Sequence, residues 1–105
     1  MLSANYLTHF NAMRRERVLE IGAWDPISDG AQDWDIFLRV IGKLDKVVHI
    51  PKVLYHWRIT STSVASCGLA TKPYAAKAQL VSVQGMLDRR GWAGATPSFA
   101  ENGVL

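Results

Sequence analysis

The feature that most constrains this chain is a helical apolar stripe. Ile36, Phe37, Val40, Ile41 and Leu44 recur with the 3.6-residue period of an α-helix. Asp35, Arg39 and Lys43 fall on what that period makes the opposite face, at spacings of four that favour ion pairing. The helix opens near Asp33, where the positive end of its dipole favours negative charge. A second helix is predicted from Pro73 to about Arg90, with Ala76, Leu80, Val83 and Leu87 as its buried stripe. Proline suits its first turn and Gly91 ends it, while Gly85 weakens it by ~1 kcal/mol against alanine. A shorter helix is predicted over Arg14 to Ile21, with Gly22 as its C-terminal cap.

The segments between read differently. Tyr6 to Met13 mixes aromatic, β-branched and polar residues and is predicted as a short strand. Lys46 to Ile50 and Val53 to Ile59 are predicted as two more, split by Pro51, which cannot donate a ladder hydrogen bond. Ala23 to Gly30 and Thr60 to Gly68 are loops. Gly94 to Leu105 is a tail. The expected class is α/β, with helices packed on a few short strands. Three strands do not make a sheet of their own, so Ile50, Val53 and Tyr55 need partners from outside the chain.

Composition narrows the class of function. With 49% hydrophobic and 20% charged residues, the chain is globular rather than disordered. A net charge of +3 permits contact with phosphates, acidic sugars or an anionic membrane, but demands none of them. Arg14, Arg15 and Arg17 are the one basic cluster and read as a solvated helix face. Cys67 is the only cysteine, so no intrachain disulfide forms, which fits a reducing cytoplasm. It has no histidine nearby in sequence to make it a nucleophile. No apolar run reaches the ~18 residues of a membrane span, and no signal pattern opens the chain. The expectation is a cytoplasmic, soluble segment, with any membrane association left to the rest of a longer parent.

Two constellations could carry chemistry. Asp25, Asp29, Asp33 and Asp35 are four of the nine acidic residues. As a calcium loop they fail, because Ile27 and Ile36 would occupy ligand positions. Either Asp29 caps the helix and the others complement its dipole, or one carboxylate is a general base. Aspartate, with an ordinary pKa of ~3.9, can accept a proton from a hydroxyl at neutral pH. The second constellation is Tyr55-His56-Trp57-Arg58. In an extended chain Tyr55 and Trp57 face one way and His56 and Arg58 the other. It is either a half-buried strand with a wet polar face, or an imidazole and guanidinium set to meet a metal and a diphosphate. His9 and His49 lack such company and read as structural.

One order of pieces is distinctive. Arg14-Arg15 leads to Glu20-Ile21-Gly22, then Asp29-Gly30-Ala31-Gln32-Asp33-Trp34-Asp35 and Leu38-Arg39. His49-Ile50-Pro51 and Val53-Leu54-Tyr55-His56-Trp57-Arg58 follow, then Lys72-Pro73-Tyr74-Ala75 and Leu87-Asp88-Arg89-Arg90-Gly91. This order resembles family 2 glycosyltransferases, above all the bacterial enzymes that build O-antigen and other surface polysaccharides. The resemblance covers about Ser3 to Gly91.

The resemblance implies that residues 1–91 are the C-terminal, acceptor-side part of a GT-A (Rossmann-like nucleotide-diphospho-sugar transferase) domain, and 92–105 a flexible tail. It implies inverting transfer from a nucleotide-sugar donor to a saccharide acceptor. Asp33 matches the catalytic base. Gly22, Gln32, Trp34, Asp35 and Arg58 match donor- or acceptor-binding positions, and His56 a metal-side histidine. The implied cofactor is magnesium or manganese, whose main Asp-x-Asp ligands precede this segment. The sequence departs from the family at Gln32, where glutamate is commoner, and at Ala23, where a second glycine often follows Gly22. The implied partners are the missing N-terminal half of the domain and, through an unpaired strand edge, a second copy. The segment alone is expected to be inactive. Two other readings stand beside this one. The chain could be a non-catalytic remnant or saccharide-binding module of the same fold. Less favoured is a small basic nucleic-acid binder, which the acidic cluster opposes.

Overall fold

A computed structural model describes residues 1–43, 46–58, 60 and 73–101. The elements run α1 (Arg15–Glu20), a 3-10 turn (Pro26–Ser28), α2 (Gln32–Ile41) and α3 (Pro73–Arg89). Among the described residues there is no strand, and the architecture is all-helical rather than α/β.

The three expected strands are therefore corrected. Residues 6–13 and 46–58 form no ladder. A strand is stable only beside a hydrogen-bonded neighbour, and the described residues supply none. Residues 46–58 are exposed throughout. Their chain bends at Pro51, where the Lys52 N–H donates to the Ile50 carbonyl at 2.8 Å across a three-residue turn. Ile59, Leu44, Cys67 and most of the Thr60 to Gly68 loop lie outside the described residues.

α1 is one residue shorter at each end than the pattern suggested. It ends as the sequence led one to expect. Gly22 follows with φ 86°, a left-handed conformation that costs glycine little. Its N–H donates to the Leu19 carbonyl at 3.0 Å, and the Ala23 N–H donates to Val18 at 2.9 Å. This paired closure of the last carbonyls is a Schellman motif. α3 ends the same way, with bonds from Gly91 to Asp88 and from Trp92 to Leu87 at 3.0 and 3.1 Å.

The approach to α2 corrects a second expectation. Asp29 does not cap α2, because it closes the preceding 3-10 turn through its own N–H to the Pro26 carbonyl. Ala31 stands at the cap with no side-chain bond. The Trp34 N–H of the first turn donates to Asp33 Oδ1 at 2.8 Å instead, and Gln32 Oε1 reaches back to accept from the Gly30 N–H at 2.9 Å. Asp25 caps the 3-10 turn, accepting from the Ile27 N–H at 3.0 Å. Gly30 has φ 90° and lies against α3; a Cβ there would stand 2.8 Å from Tyr74 Cε2 and 2.9 Å from Ala75 Cβ. Glycine is what lets this loop touch the first turn of α3.

α2 is the centre of the molecule. Six of its ten residues are buried, because it is packed on two sides. Trp34 and Leu38 meet Val83, Met86 and Leu87 of α3, with Met1, Leu2 and Ala95 at the margin. Ile36, Phe37 and Val40 meet Val18 of α1. Ile36 and Leu38 retain 1% exposure, and burial of such a side chain contributes ~1.5–3 kcal/mol. The polar face predicted for α2 is corrected as well. Asp35 is buried, and Arg39 is only partly exposed.

The stripe of α3 is rotated from expectation. Val83 and Leu87 are buried, but Ala76 and Leu80 are only half-buried. Ala75, Ala78, Ser82 and Met86 take the interior instead. Their small members allow close approach to the loop before α2. The Ser82 hydroxyl donates to the Ala78 carbonyl at 2.8 Å, so its burial leaves no orphan donor. Beyond α3 the chain folds back: Ala95 packs on the core and its carbonyl accepts from Gln84 at 3.2 Å.

Candidate functional site

The acidic cluster separates into distinct roles. Asp25 holds a turn and Asp29 is exposed. Asp35 is buried and paired with Arg39, whose Nε donates to Oδ2 at 2.8 Å and whose Nη2 lies 2.6 Å from the same oxygen. Asp33 is half-buried in the first turn of α2. Its Oδ2 accepts from Asn5 Nδ2 at 3.0 Å, and its Oδ1 from the Trp34 N–H at 2.8 Å. A carboxylate has about four acceptor sites, so two bonds orient this one and leave capacity for a further donor.

Arg39 does more than pair with Asp35. Its Nη1 donates to the Ile21 carbonyl at 2.7 Å and its Nη2 to the Ala23 carbonyl at 2.6 Å. One guanidinium thus fastens the loop around Gly22 to the helix that begins with Gln32 and Asp33. The fork geometry of arginine suits several acceptors at once. Arg89 lies on the same side. Although Arg89 is exposed, partial desolvation of its guanidinium lowers it from the ordinary value; the Asp35 and Asp88 charges act against that and the Arg39 charge with it.

The other predicted residues are distributed unevenly. Gln32 is exposed and its amide oxygen is engaged with Gly30. Trp34 is 5% exposed, and its indole N–H donates to the Met1 carbonyl at 2.8 Å, so its ring belongs to the core. His56 and Arg58 are exposed on the extended segment. Among the described residues no three His, Cys, Asp or Glu side chains converge as a metal site.

Among the described residues, apolar hollows lie at two places. Met1, Leu38, Ile41 and Met86 help line one, and Met13, Val18, Leu19 and Trp24 the other. Asp33 borders neither. The sequence reading missed a cluster of rings. His9 lies 4.2 Å from Trp57 and 6.2 Å from Tyr55, and Phe10 lies parallel to Tyr55 at 6.2 Å. The alternation that puts Tyr55 and Trp57 on one face was legible; their meeting with His9 is a long-range contact without a local signal.

Comparison with known proteins gives two similarities. The chain is 36% identical over 89 residues to the O-antigen biosynthesis protein RfbC of Myxococcus xanthus, covering 85% of this chain and 7% of that protein. It is 42% identical over 76 residues to the uncharacterized protein y4gI of Sinorhizobium fredii, covering 70% of this chain and 8% of that one. The chain thus spans less than a tenth of the length of either relative. No family profile matches the chain, and no solved structure matches it. Among the described residues no helix is long and apolar enough to cross a membrane.

Proposed function

We propose that these residues serve a glycosyltransferase of bacterial surface-polysaccharide synthesis. The observation that carries this reading is the extended similarity to a protein of O-antigen biosynthesis. A match of 89 residues in a chain of 105 contains α2 wherever it begins, so the candidate base lies within the shared region. In this reading Asp33 accepts the proton of an acceptor hydroxyl. The freed oxygen attacks the anomeric carbon of the donor sugar, the bond from that carbon to phosphate breaks, and a nucleoside diphosphate departs. Asn5 and the Trp34 amide hold the carboxylate for this step. Arg39 holds the Gly22 loop to the same helix, α2.

His56 and Arg58 remain candidates for the diphosphate side. In this reading His56 would stand on the metal side, and the main ligands of a magnesium or manganese ion would come from outside these residues. A positioned base is typically worth ~10²–10⁴-fold in rate. In the full-length protein that carries this segment, Asp33→Asn is expected to lower sugar transfer by that factor while donor nucleotide binding persists. Transfer at the unaltered rate by the Asp33→Asn variant removes Asp33 from the role.

A further inference from the structure

We infer that His9, Phe10, Tyr55 and Trp57 form an open aromatic platform for a saccharide, the acceptor subsite of the transfer proposed above. The inference rests on that reading for the word acceptor, but its geometry is independent. Two segments far apart in sequence bring four rings together. His9 stands 4.2 Å from Trp57, and the Phe10 and Tyr55 planes agree within 6°. These rings are not core. Phe10 is 70% exposed, and Tyr55 and Trp57 are each 49% exposed. Clustered exposed rings mark a binding surface more often than scattered ones do.

The chemistry of the rings indicates what covers them. A pyranose ring presents an apolar C–H face with hydroxyls around its rim. An aromatic face suits the first. The imidazole nitrogens, the Tyr55 hydroxyl and the indole N–H of Trp57 suit the second. An apolar protein surface would leave these polar edges without partners on burial, at a cost in free energy. A saccharide supplies donors and acceptors at that same edge. Tyr55 and Trp57 alternate with His56 and Arg58, and an extended chain with that alternation keeps the Arg58 guanidinium off the ring face. A neutral sugar is therefore the better match than an anionic surface.

The test is a titration of the full chain, with aromatic side chains labelled for NMR. The probes are cellotetraose, chitotetraose and mannotetraose, and separately vesicles of phosphatidylcholine with phosphatidylglycerol. The expected result is saccharide-dependent movement of the Trp57 indole and Tyr55 ring signals, with the Trp34 indole unmoved. Trp57→Ala and Tyr55→Ala should each weaken binding by about tenfold, on the scale of one stacked ring. Both positions are exposed, and unchanged circular dichroism establishes that the variants fold. Absence of movement with every saccharide overturns the inference. So does movement with vesicles alone, or binding that survives both substitutions. Sugar transfer by the full-length protein separates this inference from the function it rests on. Normal transfer with an unaltered acceptor KM in both variants sinks the platform and spares the transferase. Saccharide binding at the platform without transfer from any nucleotide sugar does the reverse.

Discussion

At the residue scale, the most informative position is Ala23. It has φ 56°, a conformation in which an L side chain crowds the neighbouring carbonyl. The strain is tolerated because both of its backbone polar groups are engaged. Its N–H closes the end of α1, and its carbonyl receives Arg39. Left-handed geometry costs a non-glycine residue ~1–2 kcal/mol, whereas glycine's greater freedom in the unfolded chain takes back ~0.4–1 kcal/mol. Relief of strain is the larger effect. Ala23→Gly is expected to stabilise the fold by about 0.5–1 kcal/mol, read as a higher urea midpoint with an unchanged slope. A lower midpoint would mean that the left-handed turn is not present at Ala23. Gly22 beside it was legible as a helix end, because glycine after an amphipathic stretch has a local cause. The left-handed Ala23 has no signal in alanine itself; the one pointer to it was the glycine that the resembled family often places there.

At the scale of elements, Asp35 pairs with Arg39 inside α2, and Arg39 joins that helix to the end of α1 through the Ile21 and Ala23 carbonyls. The side chains retain 10% and 13% exposure respectively, so both charges are largely out of water. Removing one partner from such a pair leaves the other charge uncompensated, at ~3–5 kcal/mol. Arg39→Met also frees the carbonyls of Ile21 and Ala23, so its loss should sit at the upper end of that range. Asp35→Leu combined with Arg39→Met should recover part of it, because no buried charge then remains. Chemical denaturation of the two single variants and the double variant checks this. Equal losses in Arg39→Met and the double variant would mean that the carbonyl contacts matter and the ion pair does not. The spacing of four made the pair legible, and the period of three to four made α2 and α3 legible. Their faces were harder to assign. Ala75, Ala78 and Ser82 are buried, Ala75 against the Gly30 loop, and small residues carry no apolar signal of burial. The three expected strands failed for a related reason: a strand needs a distant partner, and β-branched composition cannot supply one. Asp33 at the head of α2 could be placed from local pattern, but its bond from Asn5 could not.

At the scale of the whole molecule, the described residues leave much apolar surface uncovered. Val47, Val48, Ile50, Val53 and Leu54 retain between 55% and 81% exposure along one extended segment. Folded monomers rarely show a continuous apolar patch beyond a few hundred Å². The chain alone is therefore expected to self-associate through residues 46–54. Two effects compete there. Apolar burial drives copies together, while Lys46 and Lys52 repel their counterparts and no described acidic side chain lies in the segment. Screening weakens the second and not the first, since the Debye length falls from ~30 Å at 0.01 M to ~10 Å at 0.1 M. Association should strengthen with salt, the opposite of assembly through ion pairs. Val48→Lys with Val53→Lys adds charge and removes apolar area, and should return the chain to its monomer mass of 11.7 kDa without loss of helicity. Light scattering over a range of concentration and salt gives the answer. A monomer under all those conditions would mean that water covers this segment adequately. Association that weakens with salt would move its cause to charged groups elsewhere on the surface.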